Sequence, residues 1–427
     1  MTYVNAVKYL NAHKDGTPSP ERMRLLCRYL SDPQRQLRFV HIAGGPGKTS
    51  CAQMLSVILC ESGYKIGMLT TSFVKEPREM ISVGNKAISH NDFAKYVEQV
   101  AIATSKMKSD IKKAAEYDSA VLNEPEKNSQ HPKITKNLLD GKILPDPTYS
   151  EIICAAAFIA FKSNDCNISL LECGESRADP SGIIDPPLVA VVCGTTLSEE
   201  QLRTGAGIIR RGTREVVTSV SIGDAYTTIL DSCVRVGSRL TVPARAELHH
   251  ISFGLGGRTF EYRGKSYTIP NCAEYQLTNA LVAIETVYAL RRTGIALRSE
   301  DVARGINNAR TPLKFEILSA SPAIILDCPK SPADIVSFCE SLAKISHIIG
   351  KNIISVTPSS ESIISNEILE SYGFSLKEHF YPLTELNDKE VALKSARLSS
   401  EETMLIIGPQ DFSGRIKNRI LKMLSYR

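Results

Sequence analysis

Several things that would settle this chain's class at once are missing from it. None of the eleven cysteines falls in a Cys-x-x-Cys pair, and Cys60, Cys154 and Cys193 sit in apolar runs. Reduced thiols of a cytosolic protein are the simplest reading. The opening MTYVNAVKYLNAHKDG lacks the apolar core of a secretory leader. No apolar run reaches the roughly 18 residues that span a bilayer. The expectation is a cytoplasmic protein with no membrane partner. Neither sign of charge dominates: the net charge is +5 and is spread along the chain. That gives no reason to invoke nucleic acid, although it suits an anionic small ligand. Internal repeats and low-complexity tracts are absent as well.

What is present is ordinary in bulk and specific in detail. With 427 residues, 43% hydrophobic and 23% charged, the chain suits two or three globular domains. The first 36 residues read as helix, loop (Asp15 to Pro20) and helix. A strand over 37–43 runs into Gly44-Gly45-Pro46-Gly47-Lys48, then a helix over 49–62 and a strand over 65–70. Strand, glycine turn, helix and strand in that order predict a parallel α/β sheet. Residues 105–147, rich in Lys, Asp, Glu, Asn and Pro, suggest a mobile insertion. Further elements are a helix over 149–161, strands over 167–172 and 188–193, and short antiparallel strands near 251–253, 259–262 and 267–269. A helix over 272–292 ends at Thr293-Gly294-Ile295, which places a boundary there. The expected domains are a P-loop ATP-binding domain over 1–295 and a smaller Rossmann-like α/β domain over 296–427. Strands of the second lie over 323–327, 352–356 and 404–408.

The turn carries the clearest chemistry. Glycines let backbone N–H groups surround phosphate oxygens, and the following helix adds a positive field. Gly44, Gly45 and Gly47 supply the cradle, Lys48 neutralises β- and γ-phosphate charge, and Thr49 or Ser50 offers a hydroxyl to Mg²⁺. The full Walker spacing is not met, because Ile42 stands where its first glycine would be.

The segment His41-Ile-Ala-Gly-Gly-Pro-Gly-Lys-Thr-Ser50 resembles the HVAGTNGKGS string of folylpolyglutamate and dihydrofolate synthases, a branch of the Mur ligase superfamily. Others resemble that family in the same order: Gly67-Met-Leu-Thr-Thr-Ser72 (GLFTSPH), Pro147-Thr-Tyr-Ser-Glu151 (PTYFE) and Leu171-Glu-Cys-Gly174 (LEVG), with Arg177 and Asp179 near its GGRLD. Ala206-Gly-Ile-Ile209 (KAGII), Gln276-Leu-Thr-Asn279-Ala (QLENA), Lys314-Phe-Glu316 (GRFE) and Asp327-Cys-Pro-Lys-Ser-Pro332 (DGAHNP) follow. Colinearity over roughly residues 1 to 345 is far more specific than any one motif.

The resemblance implies an ATP- and Mg²⁺-dependent ligase, acting as a monomer, that joins glutamate to a folate-like carboxylate through an acyl phosphate. It implies that Ser50 and Glu172 hold the metal, and that Asn279, Lys314 and Asp327 contact the nucleotide. Lys48 and Glu172 are expected to act in catalysis. His41 and Glu151 also match but suit structural roles, a histidine inside a strand being more often a satisfied core residue.

Departures from the pattern bear on the same chemistry. After Cys193, Gly194-Thr-Thr-Leu197 runs almost directly into a helix, and about nine family residues, including a metal-binding histidine, are absent. Gly205 replaces the lysine that many relatives carbamylate, Lys330 the histidine of HNP, Ser331 its asparagine, and Phe73 the histidine of TSPH. Lys314 keeps the charge of the GRFE arginine without its planar fork. Gly45 and Pro46 replace Thr and Asn in the turn, and Pro46 removes one N–H. Lys330 is expected to offer a fixed positive charge in place of a metal. Three functions compete: this ligation, a paralogue that binds nucleotide or folate without ligating, and a ligase for a different acid. The third follows from differences at residues 16–23 and 72–77, where the family contacts folate.

Overall fold

The computed structural model of the protein describes residues 1–14, 16–123, 146–174, 179–329, 331–359, 366–382 and 385–425. Two short helices open the chain, α1 (Tyr3–Asn11) and α2 (Pro20–Tyr29). Thr2 and Ser19 start them, each side chain accepting an N–H three residues on. Buried strand β1 (Phe39–Gly44) leads into α3 (Lys48–Glu61), and β2 (Ile66–Leu69) follows. Next come β3 (Ile81–Val83), β4 (Lys86–Ala87), the long α4 (His90–Asn123) and α5 (Tyr149–Ser163). Thr148 and Glu151 close a reciprocal capping box at the start of α5. Strands β5 (Ile168–Glu172) and β6 (Val189–Cys193), helix α6 (Glu199–Gly207), β7 (Glu215–Thr218), α7 (Gly223–Val236) and β8 (Arg239–Thr241) complete the first sheet.

Its strand order is β4-β3-β2-β5-β1-β6-β7-β8. From β2 to β8 all neighbours are parallel, and only the β2–β3 and β3–β4 pairs are antiparallel. Strands β1, β5 and β6 are buried along their whole length, which is why they read as unbroken apolar runs. Their C-terminal ends lie side by side, the place where α/β sheets build sites.

An antiparallel sheet of β9 (Leu248–Gly254), β10 (Gly257–Tyr262) and β11 (Lys265–Ile269) precedes α8 (Glu274–Arg292) and α9 (Ser299–Asn308). The third sheet combines β12 (Glu316–Ala320), β13 (Ala323–Asp327), β14 (Asn352–Val356), β15 (Ser375–Phe380) and β16 (Glu402–Ile407). Helices α10 (Pro332–Lys344), α11 (Asn366–Ser371), α12 (Glu385–Ser395) and α13 (Gln410–Leu424) accompany it. Its order is β12-β13-β16-β14-β15, with β12 antiparallel to β13.

Two expectations change. Residues 105–123 are not an insertion loop but the second half of α4. Met107 is buried while Lys106, Lys108, Ser109 and Asp110 face solvent, so the polar run is the wet side of a helix. The rest of that expected insertion, 124–145, lies outside the described residues. The expected boundary at 295 falls within one apolar core: Ile295, Leu297, Val302, Ile306 and Ala309 pack with α3 and α8. Gly305 lies so close to α3 that a Cβ there would come 2.5 Å from Ile58 Cα. We therefore propose a division nearer residue 310. None of the eleven cysteines is in a disulfide. Among the described residues, no helix is long and apolar enough to cross a membrane.

Candidate active site

The turn after β1 is shaped by glycine. Gly44 and Gly47 have φ of +97° and +100°, and a Cβ on Gly44 would come 2.4 Å from the Cys193 carbonyl. Gly45 N–H donates to that same carbonyl at 2.8 Å, tying the turn to β6. Lys48 begins α3 nearly buried, its Nζ donating to the carbonyls of Gly44 (2.8 Å) and Gly45 (3.3 Å). No side chain caps α3, so the turn and the helix field are left for an anion.

Glu172 ends β5, opposite Ile42 of β1, and is buried. Thr49 Oγ1 lies 2.9 and 3.0 Å from its two oxygens, and Thr71 Oγ1 donates to Oε1 at 2.9 Å. Ser50 faces another way. Its Oγ accepts from Gln276 Nε2 at 3.3 Å, and Gln276 also donates to Thr311 Oγ1 at 3.1 Å. The structure therefore brings Glu172 together with Thr49 and Thr71, and Ser50 together with α8. Sequence reasoning missed Thr71. It follows β2, which pairs with β5 (Leu69 with Leu171), so strand order alone puts it beside Glu172.

One carboxylate with two hydroxyls is an all-oxygen donor set, which fits a hard cation such as Mg²⁺. Among the described residues, no group of three or more His, Cys, Asp or Glu could hold a metal. Phosphate and water would have to complete such a shell. The β6 side of the turn is closed by packing. A Cβ on Gly45 would meet Leu197 Cδ2 at 2.9 Å and Gln201 Oε1 at 3.0 Å, and one on Gly205 would meet Val192 Cγ1 at 2.7 Å. Where the family pattern has a lysine, α6 thus leaves no room even for a methyl group.

From the other side, α8 leans on the turn. Asn279 donates to Gln276 Oε1 at 3.1 Å, and its Oδ1 lies 2.3 Å from where a Cβ on Gly47 would be. Asp327 ends β13 and is buried. The Tyr275 phenol donates to its carboxylate, and the Cys328 N–H donates to it at 2.6 Å. Lys314 Nζ is 4.0 Å from Asp327 Oδ1 and donates to the Cys328 carbonyl at 2.6 Å. Burial raises the Asp327 carboxyl above its ordinary range, against the pull of Lys314. Lys330 and Arg177 lie outside the described residues.

His41 and Glu151 are held inside the protein. His41 Nε2 is 2.8 Å from both Ser181 Oγ and Cys173 Sγ. Burial, helped by Arg210, pushes its imidazole down to about 3. Glu151 is fully buried, pairs with Arg22 and accepts the N–H groups of Ser19 and Thr148.

No family model matches the chain. It is 24% identical over 369 residues to the folylpolyglutamate synthase of Lacticaseibacillus casei, covering 81% of this chain and 77% of that one. In sequence and in fold the chain is similar to the folylpolyglutamate synthases. To the probable bifunctional folylpolyglutamate synthase/dihydropteroate synthase of Halobacterium salinarum it is 25% identical over 367 residues. That match covers 81% of this chain but only 40% of the haloarchaeal protein. Among solved structures, the Lactobacillus casei folylpolyglutamate synthetase superposes with a TM-score of 0.78 at 20% identity, covering 99% of this chain and 100% of that one. The Thermotoga maritima folylpolyglutamate synthase gives 0.75 at 21% identity, covering 98% and 96%. The fold is therefore Mur-ligase-like: a P-loop sheet and a smaller C-terminal sheet.

Proposed function

We propose that the chain is an ATP-dependent carbon–nitrogen ligase that adds glutamate to a folate-like carboxylate. In this reading the γ-phosphoryl group of ATP passes to a carboxylate oxygen and ADP leaves. The glutamate amine attacks the acyl phosphate, the carbon–oxygen bond to phosphate breaks, and an amide and inorganic phosphate remain. Lys48 and the Gly44, Gly45 and Gly47 backbone hold the phosphates, and Glu172 serves the cation. Bound Mg²⁺ would neutralise charge on the phosphates. Asn279 on α8, with Lys314 and Asp327 beside the smaller sheet, would hold the rest of the nucleotide. Lys330 would add a fixed positive charge.

The observation that carries the reading is the Lys48 turn with the Glu172 carboxylate at Thr49, one residue beyond that lysine. It is supported by relatives named as folylpolyglutamate synthases and by a similar solved structure that is a complex with AMPPCP and folate. The test is ADP release that requires both the folate-like acid and glutamate.

A second reading, nucleotide binding without ligation, is favoured by one feature: Gly205 is wedged against Val192 where the family pattern has a working lysine. ATP uptake that disappears in Lys48→Ala, with no turnover on any acid offered, would decide for it.

A further inference from the structure

We propose that Asn271 is a positioning residue: its side-chain amide fixes the strained linker between α9 and β12 and so sets where Lys314 stands beside Asp327. This rests on the reading of Lys314 as a nucleotide contact and adds the residue that aims it.

The linker runs from the end of α9 at Asn308 to the start of β12 at Glu316. Within it, Leu313 and Phe315 have φ of +61° and +48°, the left-handed region that a Cβ disfavours. Neither is a residue type that tolerates it. Such a conformation persists only where the surroundings over-determine it. Burial supplies part of that. Leu313 belongs to the core of Leu326 and Phe412, and Phe315 to the core of Ile325 and Phe338. Lys314, between them, is only half-buried, and its Nζ reaches the Cys328 carbonyl at 2.6 Å and stands 4.0 Å from Asp327 Oδ1.

Buried side chains fix the two flanking residues but not the peptide groups beside Lys314. Those are held by hydrogen bonds. Asn271 Nδ2 donates to the Lys314 carbonyl at 2.8 Å and to the Phe315 carbonyl at 3.3 Å. The Leu313 N–H donates to Glu316 Oε2 at 2.9 Å, and Lys417 holds the other oxygen of that carboxylate. Asn271 is the one of these partners that comes from outside the second domain. It lies just beyond β11, and its Oδ1 accepts the Ala273 N–H at 2.9 Å where α8 begins.

One amide therefore ties the start of α8 to the linker, donating on one side and accepting on the other, which a carboxamide can do and a carboxylate cannot. The same end of α8 carries Tyr275, whose phenol donates to Asp327. Lys314 and Asp327 are thus both registered on α8, the helix whose Asn279 lies against Gly47 of the glycine turn.

The test is calorimetry with Mg-AMPPCP on the full chain, run as a double-mutant cycle. The parent is expected to bind saturably, and Lys314→Met to bind at least about tenfold more weakly. Asn271→Ser keeps an oxygen for the Ala273 N–H but is too short to reach the linker carbonyls. It should weaken AMPPCP about five- to thirtyfold in the parent and less than about twofold in Lys314→Met. A role confined to stability would lower the melting temperature and leave the same fold-loss in both backgrounds. Asn271→Ala carries the cycle where Asn271→Ser fails to fold. A loss under about twofold in the parent, or an equal loss in both backgrounds, overturns the proposal and leaves nucleotide binding standing. Unchanged affinity in Lys314→Met overturns it together with the assignment of Lys314 to the nucleotide. Absence of saturable uptake by the parent removes the nucleotide-binding reading, and this proposal with it.

Discussion

Gly205 of α6 lies against Val192 of β6, so closely that a Cβ at the glycine would come 2.7 Å from Val192 Cγ1. The contact fixes how near α6 approaches the glycine turn, since Leu197 and Gln201, before and within that helix, cover Gly45. Gly205→Ala should therefore destabilise the fold by about 1–3 kcal/mol, the usual cost of adding a methyl group to a packed interface. The measurement is the urea midpoint. An unchanged midpoint would mean that α6 moves freely and that the turn is not closed from this side.

Lys48 holds the charge at the centre of the site. Lys48→Ala should abolish measurable ATP uptake by calorimetry. If the chain ligates, turnover should fall on the order of 10² to 10³. Retained ATP binding would show that the turn does not grip phosphate.

The Arg22–Glu151 pair joins α2 to α5, with both side chains at 3% exposure or less. Removing one partner leaves a buried charge unmatched. Arg22→Met should cost about 3–5 kcal/mol, read by denaturant unfolding, with the site residues untouched. A loss of under about 1 kcal/mol would mean the pair is wetter than its burial indicates.

His41 should make stability depend on pH. Burial, then Arg210, pushes its folded value down to about 3 from an ordinary 6.5. Between those values the unfolded chain binds the proton and the folded one does not, so stability falls as pH falls below 6.5. The slope approaches about 1.4 kcal/mol per pH unit. Asp179 works in the opposite sense: burial raises its carboxyl, so protonation there favours the folded state at low pH. The effect of His41 is thus read as a difference between the parent and His41→Gln across pH 5 to 6.5, with the variant losing less. Parallel curves would place a proton on the folded imidazole.

How much was legible follows from burial. Strands β13 and β14 are readable to the residue because both are bounded apolar runs buried on nearly every position. Strands β12 and β15 escaped because they are half-exposed edges of their sheet, and Ser375–Phe380, with Lys377 and Glu378 facing solvent, carries no apolar run. The polar second half of α4 misled for the opposite reason: over residues 105–113 only Met107 is buried and Ile111 partly so, a sparse apolar stripe. At the site, residue types and chain order marked the glycine turn, Lys48 and Glu172 as candidates. They could not show that Thr49 rather than Ser50 meets Glu172.

The sequence by itself determined the local grammar: a phosphate-type turn between strand and helix, a parallel α/β sheet, and an order of motifs like that of the folylpolyglutamate synthases. Those features depend on residues near one another in the chain, where backbone freedom, capping and hydrophobic period act directly. Only the tertiary structure decided which hydroxyls meet Glu172, that α6 closes on the turn through Gly205, and that Asp327 is taken up by Tyr275. Each depends on the order of strands in a sheet or on the rotation of a helix about its axis. Both are set by packing between segments remote in sequence, and no local pattern encodes them.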